Sequence, residues 1–300
     1  MSEIVRIVDG PVSRQVPEWR RSGNAAGHRS CSRPYASEVP ALLAAGFAGL
    51  LVLASAAGPW ALFVGVLVAM AVLLVGAARV VSVPLAGPAT ALALAAGALA
   101  AVLAVLDPDA PDLGVLAPVL GMALLAAIAL QLGRRRGRDQ LTGSLTFTVT
   151  ATVLAGLLVT WVVLRSAPHG VVSVGVGLAG VGVVALAEAL PGSRPIWRLV
   201  GIIGAAAAGA ALASLEVVRD AAPPVNVMVL AALTALLAAT GCAVVDRVEQ
   251  EAGATPGRRA RHASGSAPLG LDTGVVALRT ALPLAIAAPA AYVLGRILVG

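Results

Sequence analysis

The sequence predicts an all-α integral membrane protein, and two features of its composition carry that prediction. Hydrophobic residues make up 59% of the chain and charged residues 12%, whereas soluble domains average about 45–50% and about 25%. The apolar residues are mostly alanine, leucine, valine and glycine, gathered in runs of about 20 residues, the length that a helix needs to cross a bilayer. Strands of a membrane barrel would instead alternate polar and apolar positions over about ten residues.

Residues 1–38 are predicted to form a disordered cytoplasmic tail. This stretch is polar and rich in arginine, with scattered glycine, serine and proline and no apolar period. An alternative is a secretory signal cleaved at Ala54-Ser55-Ala56, but the polar stretch is far too long for the basic start of such a signal. We therefore expect the first apolar run, which begins at Val39, to remain as a helix.

Residues 39–300 are predicted to form a polytopic transmembrane domain of about nine helices. The predicted spans are 39–57, 60–80, 84–106, 113–132, 144–165, 170–190, 197–217, 225–245 and 277–298. Proline and glycine, which end helices and open turns, separate them, as at Gly58-Pro59 and Pro223-Pro224. The loop after the third span carries three aspartates at 107–112, for which a solvated turn and a cation site are both open.

The arginines predict the orientation of these helices. All 21 basic residues are arginine, and 18 of them fall in the tail and in loops on one side, among them the cluster Arg134, Arg135, Arg136 and Arg138. The positive-inside rule places that side, with the N-terminus, in the cytoplasm. We expect a multi-pass protein of a cell membrane, of the bacterial inner-membrane kind. Its basic loops indicate anionic phospholipid as a partner and not nucleic acid. A second copy of the chain or another membrane protein remains an open alternative as a partner.

Several apparent motifs have simpler interpretations inside apolar spans. The sequence G-x-G-x-x-G at 175–180 predicts close helix packing through small residues, because no βαβ pattern surrounds it. The hydroxyls of Ser144, Thr146, Thr148, Thr150 and Thr152 are expected to face several directions on a helix and to bond carbonyls of the preceding turn. Cys31 and Cys242 form no disulfide or metal pattern. The middle of every predicted span lacks Asp, Glu, Arg and His, which argues against a proton-coupled transporter.

Polar residues gather at the predicted cytoplasmic ends of the sixth, seventh and eighth spans, namely Glu188, Trp197, Arg198, Asp246, Glu249 and Glu251. Asp246 and Glu249 are three residues apart and share one face of a helix. Such a pair could bind Mg²⁺ and a nucleotide phosphate, and it could equally be a solvated helix end. We name Asp246 and Glu249 as candidate metal ligands. The candidate lipid-binding surface residues are Arg134, Arg135, Arg136, Arg138, Arg194 and Arg198.

The segment Asp246-Arg247-Val248-Glu249-Gln250 resembles the D-L-x-E-S part of a motif of the phosphatidate cytidylyltransferase (CDP-diacylglycerol synthase) family. The later segment Ala287-Ala288-Pro289-Ala290-Ala291-Tyr292-Val293-Leu294 is similar to the final helix of that family, L-L-F-A-A-P-V-A-Y-L-L, and Gly192 to Arg198 is similar to S-P-K-K-S-W-E-G. The resemblance covers about residues 40–300. It implies a polytopic helical fold and an activity that joins CTP to phosphatidate, with Mg²⁺ held by Asp246 and Glu249.

The departures from that family pattern point to lost catalysis. Arg279, Thr280 and Leu282 stand where the family has D, R and a second D, the G-H-G-G histidine has no counterpart, and the chain contains no lysine. We therefore expect a degenerate, non-catalytic family member with a lipid-associated or scaffold role, without an assignable catalytic residue or cofactor. The alternatives are an active CTP:phosphatidate cytidylyltransferase that uses Mg²⁺ to make CDP-diacylglycerol, and a small-solute transporter.

Overall fold

The computed structural model describes residues 35–81, 86–106, 114, 116–132, 141–254 and 273–299. Within these ranges the regular structure is helical and no strand occurs, which confirms the predicted all-α class. The helices are α1 (Tyr35–Ala57), α2 (Pro59–Val81), α3 (Ala86–Leu106), α4 (Leu116–Leu132), α5 (Leu141–Ser166), α6 (Gly170–Glu188), α7 (Arg194–Leu212), α8 (Glu216–Arg219), α9 (Pro224–Ala254) and α10 (Thr273–Leu298). Residues 1–34, the acidic loop and the cluster Arg134 to Arg138 lie outside the described residues.

Eight of the described helices are long and apolar enough to cross a membrane, so the chain is a multi-pass membrane protein. The remaining predicted span is α4, which has 17 residues. A helix of that length measures about 26 Å, slightly less than the roughly 30 Å of a hydrocarbon core. The short α8 is a single turn of four residues that the sequence did not predict.

The helix bounds agree with the predicted spans to within three residues except in α1, α7, α9 and α10. Helix α10 begins at Thr273, four residues before the predicted start at 277. Helix α1 begins at Tyr35, so residues 35–38 of the predicted tail are helical. Helix α7 begins at Arg194 and ends at Leu212, earlier than predicted at both ends. Its early start follows from Pro195, because proline favours the first turn of a helix. Helix α9 continues to Ala254, nine residues beyond the predicted end at 245, through a stretch rich in helix-favouring Arg, Glu and Gln.

Helix α10 lies at the centre of the bundle, where it contacts α1, α2, α5, α6 and α9. The side chain of Trp161 on α5 is fully buried, and its indole Nε1–H donates to the carbonyl oxygen of Leu284 on α10 at 3.1 Å. A Cβ at Gly177 on α6 would lie 3.0 Å from the Trp161 ring, so glycine leaves room for the indole. These three helices therefore form the most buried part of the molecule.

The glycine motif on α6 acts in helix packing, as predicted. A Cβ at Gly180 would lie 2.6 Å from the carbonyl oxygen of Ala231, so α6 and α9 approach each other more closely than a larger residue would allow. Gly177 accommodates Trp161 in the same way, whereas Gly175 faces open space. Two of the three glycines thus explain the motif without a nucleotide.

Two of the hydroxyls in the first half of α5 bond carbonyls of the preceding turn, as predicted. Thr148 Oγ1 donates to the carbonyl oxygen of Ser144, and Thr152 Oγ1 donates to that of Thr148, both at 2.8 Å. These bonds join each hydroxyl to a carbonyl of its own helix, as is common for threonine inside helices.

Contacts between helix termini divide the bundle into two ends. We call the end where α6 and α9 finish and α7 and α10 begin the charged end, and the opposite end the capped end. At the capped end, Arg165 Nε donates to the carbonyl oxygen of Ser55 at 2.9 Å, so α1 and α5 run in the same direction. Because α1 and α5 are parallel, three helices must cross the bundle between them, and these are α2, α3 and α4. Assignment of the charged end to the cytoplasm stays a prediction from the arginines.

Candidate functional site

Six side chains from four helices form a charged cluster at the charged end of the bundle. They are Glu188 on α6, Arg194 and Arg198 on α7, Asp246 and Glu249 on α9, and Arg279 on α10. Three are arginines and three are carboxylates, so the formal charges of the cluster balance. The sequence had grouped the three carboxylates with Arg198, but it did not predict that arginines of α7 and α10 would pair with them.

Asp246 is the centre of this charged cluster, with a side chain 12% exposed. Its Oδ1 accepts from Nη1 of Arg194 at 2.5 Å and from Nη2 of Arg279 at 2.7 Å. Its Oδ2 accepts from Nη2 of Arg198 at 2.5 Å. One carboxylate on α9 is therefore hydrogen bonded to guanidinium groups of both α7 and α10.

Two of these arginines reach a second carboxylate as well. Arg198 Nε donates to Glu188 Oε1 at 2.5 Å. Arg279 forms a two-pronged pair with Glu249, donating through Nε to Oε1 at 2.5 Å and through Nη2 to Oε2 at 2.7 Å. The planar guanidinium fork suits this parallel geometry, which makes such pairs stronger than single hydrogen bonds. Arg194 differs, because its only carboxylate partner among the described residues is Asp246.

The cluster forms because helix periodicity and close helix packing bring its members together. Asp246 and Glu249 lie on one face of α9, as predicted from their spacing, and Arg194 and Arg198 are four residues apart on α7. Two glycines allow α7 to lie close to α6 and α9. A Cβ at Gly201 would lie 3.0 Å from the Cα of Val184 on α6, and one at Gly209 would lie 3.1 Å from the Cα of Met228 on α9.

Burial makes this cluster costly to disturb. Removing charges from water carries a large desolvation cost, which pairing offsets only when each charge keeps its partners. Glu188, Arg198 and Arg279 are each mostly buried, and each is hydrogen bonded to an opposite charge. Loss of Asp246 would remove the one carboxylate that Arg194 reaches among the described residues, and one of the two that Arg198 and Arg279 each hold. The cluster therefore stabilises the packing of the ends of α6, α7, α9 and α10 against one another.

The structure brings the two predicted metal ligands together, since Asp246 and Glu249 share Arg279. All four of their carboxylate oxygens accept hydrogen bonds from arginine. Among the described residues no group of three or more His, Cys, Asp or Glu is arranged to hold a metal ion. A cation at this position would have to displace guanidinium groups, and the assignment of these residues as metal ligands stays a prediction.

Of the predicted lipid-binding arginines, Arg194 and Arg198 belong to the charged cluster, while Arg134, Arg135, Arg136 and Arg138 lie outside the described residues. Arg198 is mostly buried and holds two carboxylates, but Arg194 is 42% exposed. Sequence reasoning treated Arg279 only as a departure from a family motif. The signal that could have identified its role is charge complementarity, since three carboxylates at neighbouring helix ends favour arginines as partners.

A small cavity adjoins the cluster between α1, α6, α9 and α10. Its volume is about 20 Å³, which is room for about one water molecule. Most of its wall is apolar, built from alanine, valine and proline side chains, and its polar lining consists of Glu188, Cys242, Arg279 and Thr280. The cavity therefore places a thiol, a hydroxyl and two charged groups around one small space.

Comparison of the chain with protein-family models, curated proteins and solved structures finds no match. The resemblance to phosphatidate cytidylyltransferases accordingly rests on the short motifs around Asp246, Trp197 and Pro289 alone. What the structure adds is the geometry of the charged cluster, in which the motif carboxylates are paired with arginines.

Proposed function

We propose that this protein is a non-catalytic, lipid-associated membrane protein that binds anionic phospholipid at the charged end of its helical bundle. The observation that carries the non-catalytic part is the engagement of Asp246 by three arginines. Mg²⁺ takes six oxygen ligands at about 2.0–2.1 Å and keeps several waters, so it needs open carboxylate oxygens. A carboxylate with both oxygens committed to guanidinium groups is suited to holding helices together.

The position of Arg279 supports the same proposal. Nucleotidyl transfer between two polyanions depends on cations and donors placed to neutralise developing negative charge. In the family pattern an acidic residue stands at position 279, whereas here an arginine forms a two-pronged pair with Glu249. A metal ion bound beside Glu249 would meet the positive charge of Arg279, which disfavours its binding.

The start of α7 supports the association with lipid. Ile196 and Leu199 are 61% and 59% exposed, and in a membrane protein such side chains face acyl chains. Trp197 lies between them and donates its indole Nε1–H to the carbonyl oxygen of Pro191 at 3.0 Å, a pattern typical of tryptophan at the membrane interface. A phospholipid packed on this part of α7 would bring its phosphate close to Arg194.

Arg194 is the member of the cluster best placed to bind that phosphate. It shares Oδ1 of Asp246 with Arg279, and its side chain is half-exposed. Asp246 keeps Arg198 and Arg279 if Arg194 turns away. Arginine and phosphate form strong charge-assisted hydrogen bonds, so a lipid phosphate can replace the carboxylate oxygen that Arg194 gives up.

Lipid retention tests this part of the proposal. The purified protein is equilibrated with equal amounts of phosphatidate and phosphatidylcholine, and bound lipid is measured by mass spectrometry. We expect several-fold enrichment of phosphatidate, since each basic residue near an anionic surface contributes about 1 kcal/mol. Arg194→Gln and a variant with Arg134, Arg135, Arg136 and Arg138 all changed to Gln should each reduce the enrichment. Equal retention of both lipids by the wild-type protein would contradict lipid association.

An enzymatic assay tests the non-catalytic part. We expect no CTP- and Mg²⁺-dependent release of pyrophosphate from phosphatidate above the level of a protein-free control. The matched variant is the double substitution Asp246→Asn with Glu249→Gln, which removes both candidate metal ligands while keeping side-chain size. Turnover in the wild-type protein that disappears in this variant would establish the active cytidylyltransferase instead.

A further inference from the structure

Two of the side chains that line the cavity beside the charged cluster, those of Arg279 and Glu188, each keep one polar atom that no described residue pairs. Arg279 donates through Nε and Nη2, which leaves Nη1, and Glu188 accepts at Oε1, which leaves Oε2. Thr90 Oγ1 is the sole fully enclosed side-chain polar atom without a partner in the described part of the chain. Nη1 of Arg279 and Oε2 of Glu188 are therefore not fully enclosed, and both side chains line this cavity.

We propose that the cavity is a binding site for one water molecule that bridges Arg279 to Glu188. A guanidinium N–H donates to the water oxygen, and a water O–H donates to the free carboxylate oxygen, so one molecule satisfies both groups. The volume of about 20 Å³ matches a single water.

Thr280 supplies a third partner for this water. Its hydroxyl donates to the carbonyl oxygen of Val276 at 2.9 Å, which leaves the lone pairs of Oγ1 as acceptors. Buried waters make about three hydrogen bonds on average, and they occupy polar sites that the protein leaves unsatisfied. With Arg279, Glu188 and Thr280 around it, the cavity meets that requirement.

The bridging water closes the charged cluster into a ring. The direct contacts run from Glu188 to Arg198, from Arg198 to Asp246 and from Asp246 to Arg279. The water completes the path from Arg279 back to Glu188, joining α10 to α6. This accounts for the burial of Glu188, whose side chain is only 10% exposed although one direct partner reaches it.

X-ray radiolytic labelling with mass spectrometry tests for this water, because hydroxyl radicals formed from bound water modify the side chains next to it. The probe is Cys242, which lines the cavity. The reference is Met70, a fully buried sulfur side chain packed so closely that a Cβ at Gly97 would lie 2.4 Å from its Sδ. Each rate is divided by the rate of the same residue in the denatured chain.

We expect Cys242 to be labelled about tenfold faster than Met70, as a side chain beside an ordered water should be. Equal protection of Cys242 and Met70 in the folded wild-type protein would overturn the proposal. In Ala238→Val, which fills the cavity from α9, labelling of Cys242 should fall to the level of Met70. Undiminished labelling in a folded Ala238→Val protein would show that radicals arrive from outside the cavity and would also overturn it. If this variant fails to fold, the wild-type comparison still decides.

Discussion

The two ends of the bundle satisfy their polar groups in different ways. At the charged end, side chains from four helices pair with one another around Asp246. At the capped end, two side chains each donate to a backbone carbonyl. Arg165 donates to Ser55, whose usual helical donor four residues later would be Pro59, a residue without an N–H. Asn226 donates to Leu298 at the end of α10 at 2.7 Å.

The side chains at the charged end hold several helices together, whereas the two contacts at the capped end complete the backbone at single helix ends. The contacts of Arg165 and Asn226 each complete the backbone of one helix end, as the bilayer requires of every buried carbonyl. The charged cluster completes no backbone group, and it exists only when α6, α7, α9 and α10 are all in place. One member of the cluster, Arg194, is also half-exposed. For this reason the charged end is the better place for a functional hypothesis.

The largest effect predicted from this comparison is in the accessibility of the two ends. With Cys31 and Cys242 replaced by serine, Gly137→Cys should be protected from a membrane-impermeant thiol reagent in intact cells and labelled after permeabilisation. Ala110→Cys should be labelled in intact cells, because the arginine distribution places its loop outside. Labelling of position 137 in intact cells would reverse the orientation and put the charged end outside.

The next largest effect is on stability at the charged end. Asp246→Asn removes the charge that three arginines share, and we expect a loss of roughly 3–5 kcal/mol in the free energy of unfolding, as for other broken buried ion pairs. Chemical unfolding in detergent measures it.

Glu249→Gln is the matched control for this prediction, because Asp246 remains to hold all three arginines. Its cost should be smaller, since the side chain of Glu249 is more exposed than that of Asp246. Equal stability of Asp246→Asn and the wild-type protein would mean that the cluster does not hold the helices together.

Much of the fold was predictable because hydropathy and helix-breaking residues act locally. The predicted break at Gly58-Pro59 is where α1 gives way to α2, and α6 begins at the predicted Gly170. The main errors concern ends that depend on more than apolar length. Helix α9 runs beyond 245 because Arg, Glu and Gln favour the helix there, and a hydropathy pattern does not register helix propensity.

The candidate site was predictable only in part. Asp246 and Glu249 could be assigned to one face of α9 from their spacing alone. Their pairing with Arg279 could not, because 33 residues separate it from Asp246 in sequence and the contact depends on how α9 packs against α10. The same holds for Trp161, whose hydrogen bond to Leu284 joins residues 123 apart. Contacts between helices follow from packing that a single sequence does not display.

At the capped end we expect a smaller effect than at Asp246. Arg165→Met keeps the apolar stem but removes the donor to Ser55, so the free energy of unfolding should fall by about 1–3 kcal/mol, the cost of an unsatisfied carbonyl. Arg165→Lys keeps a donor and should recover part of this loss. Equal losses for Met and Lys would show that the guanidinium does not act through this hydrogen bond.

The smallest predicted effect concerns the end of α10. Asn226→Ala removes the amide that donates to the carbonyl of Leu298, and we expect a loss of about 0.5–1.5 kcal/mol in the free energy of unfolding, the net value of one hydrogen bond. Asn226→Asp is the sharper control, because the carboxylate keeps the shape of the amide but offers no donor and turns negative charge toward the carbonyl. It should therefore cost at least as much as alanine, measured by the same unfolding experiment. An aspartate variant as stable as the wild-type protein would show that the contact does not stabilise this end, and the contrast between the two ends would then rest on Arg165 alone.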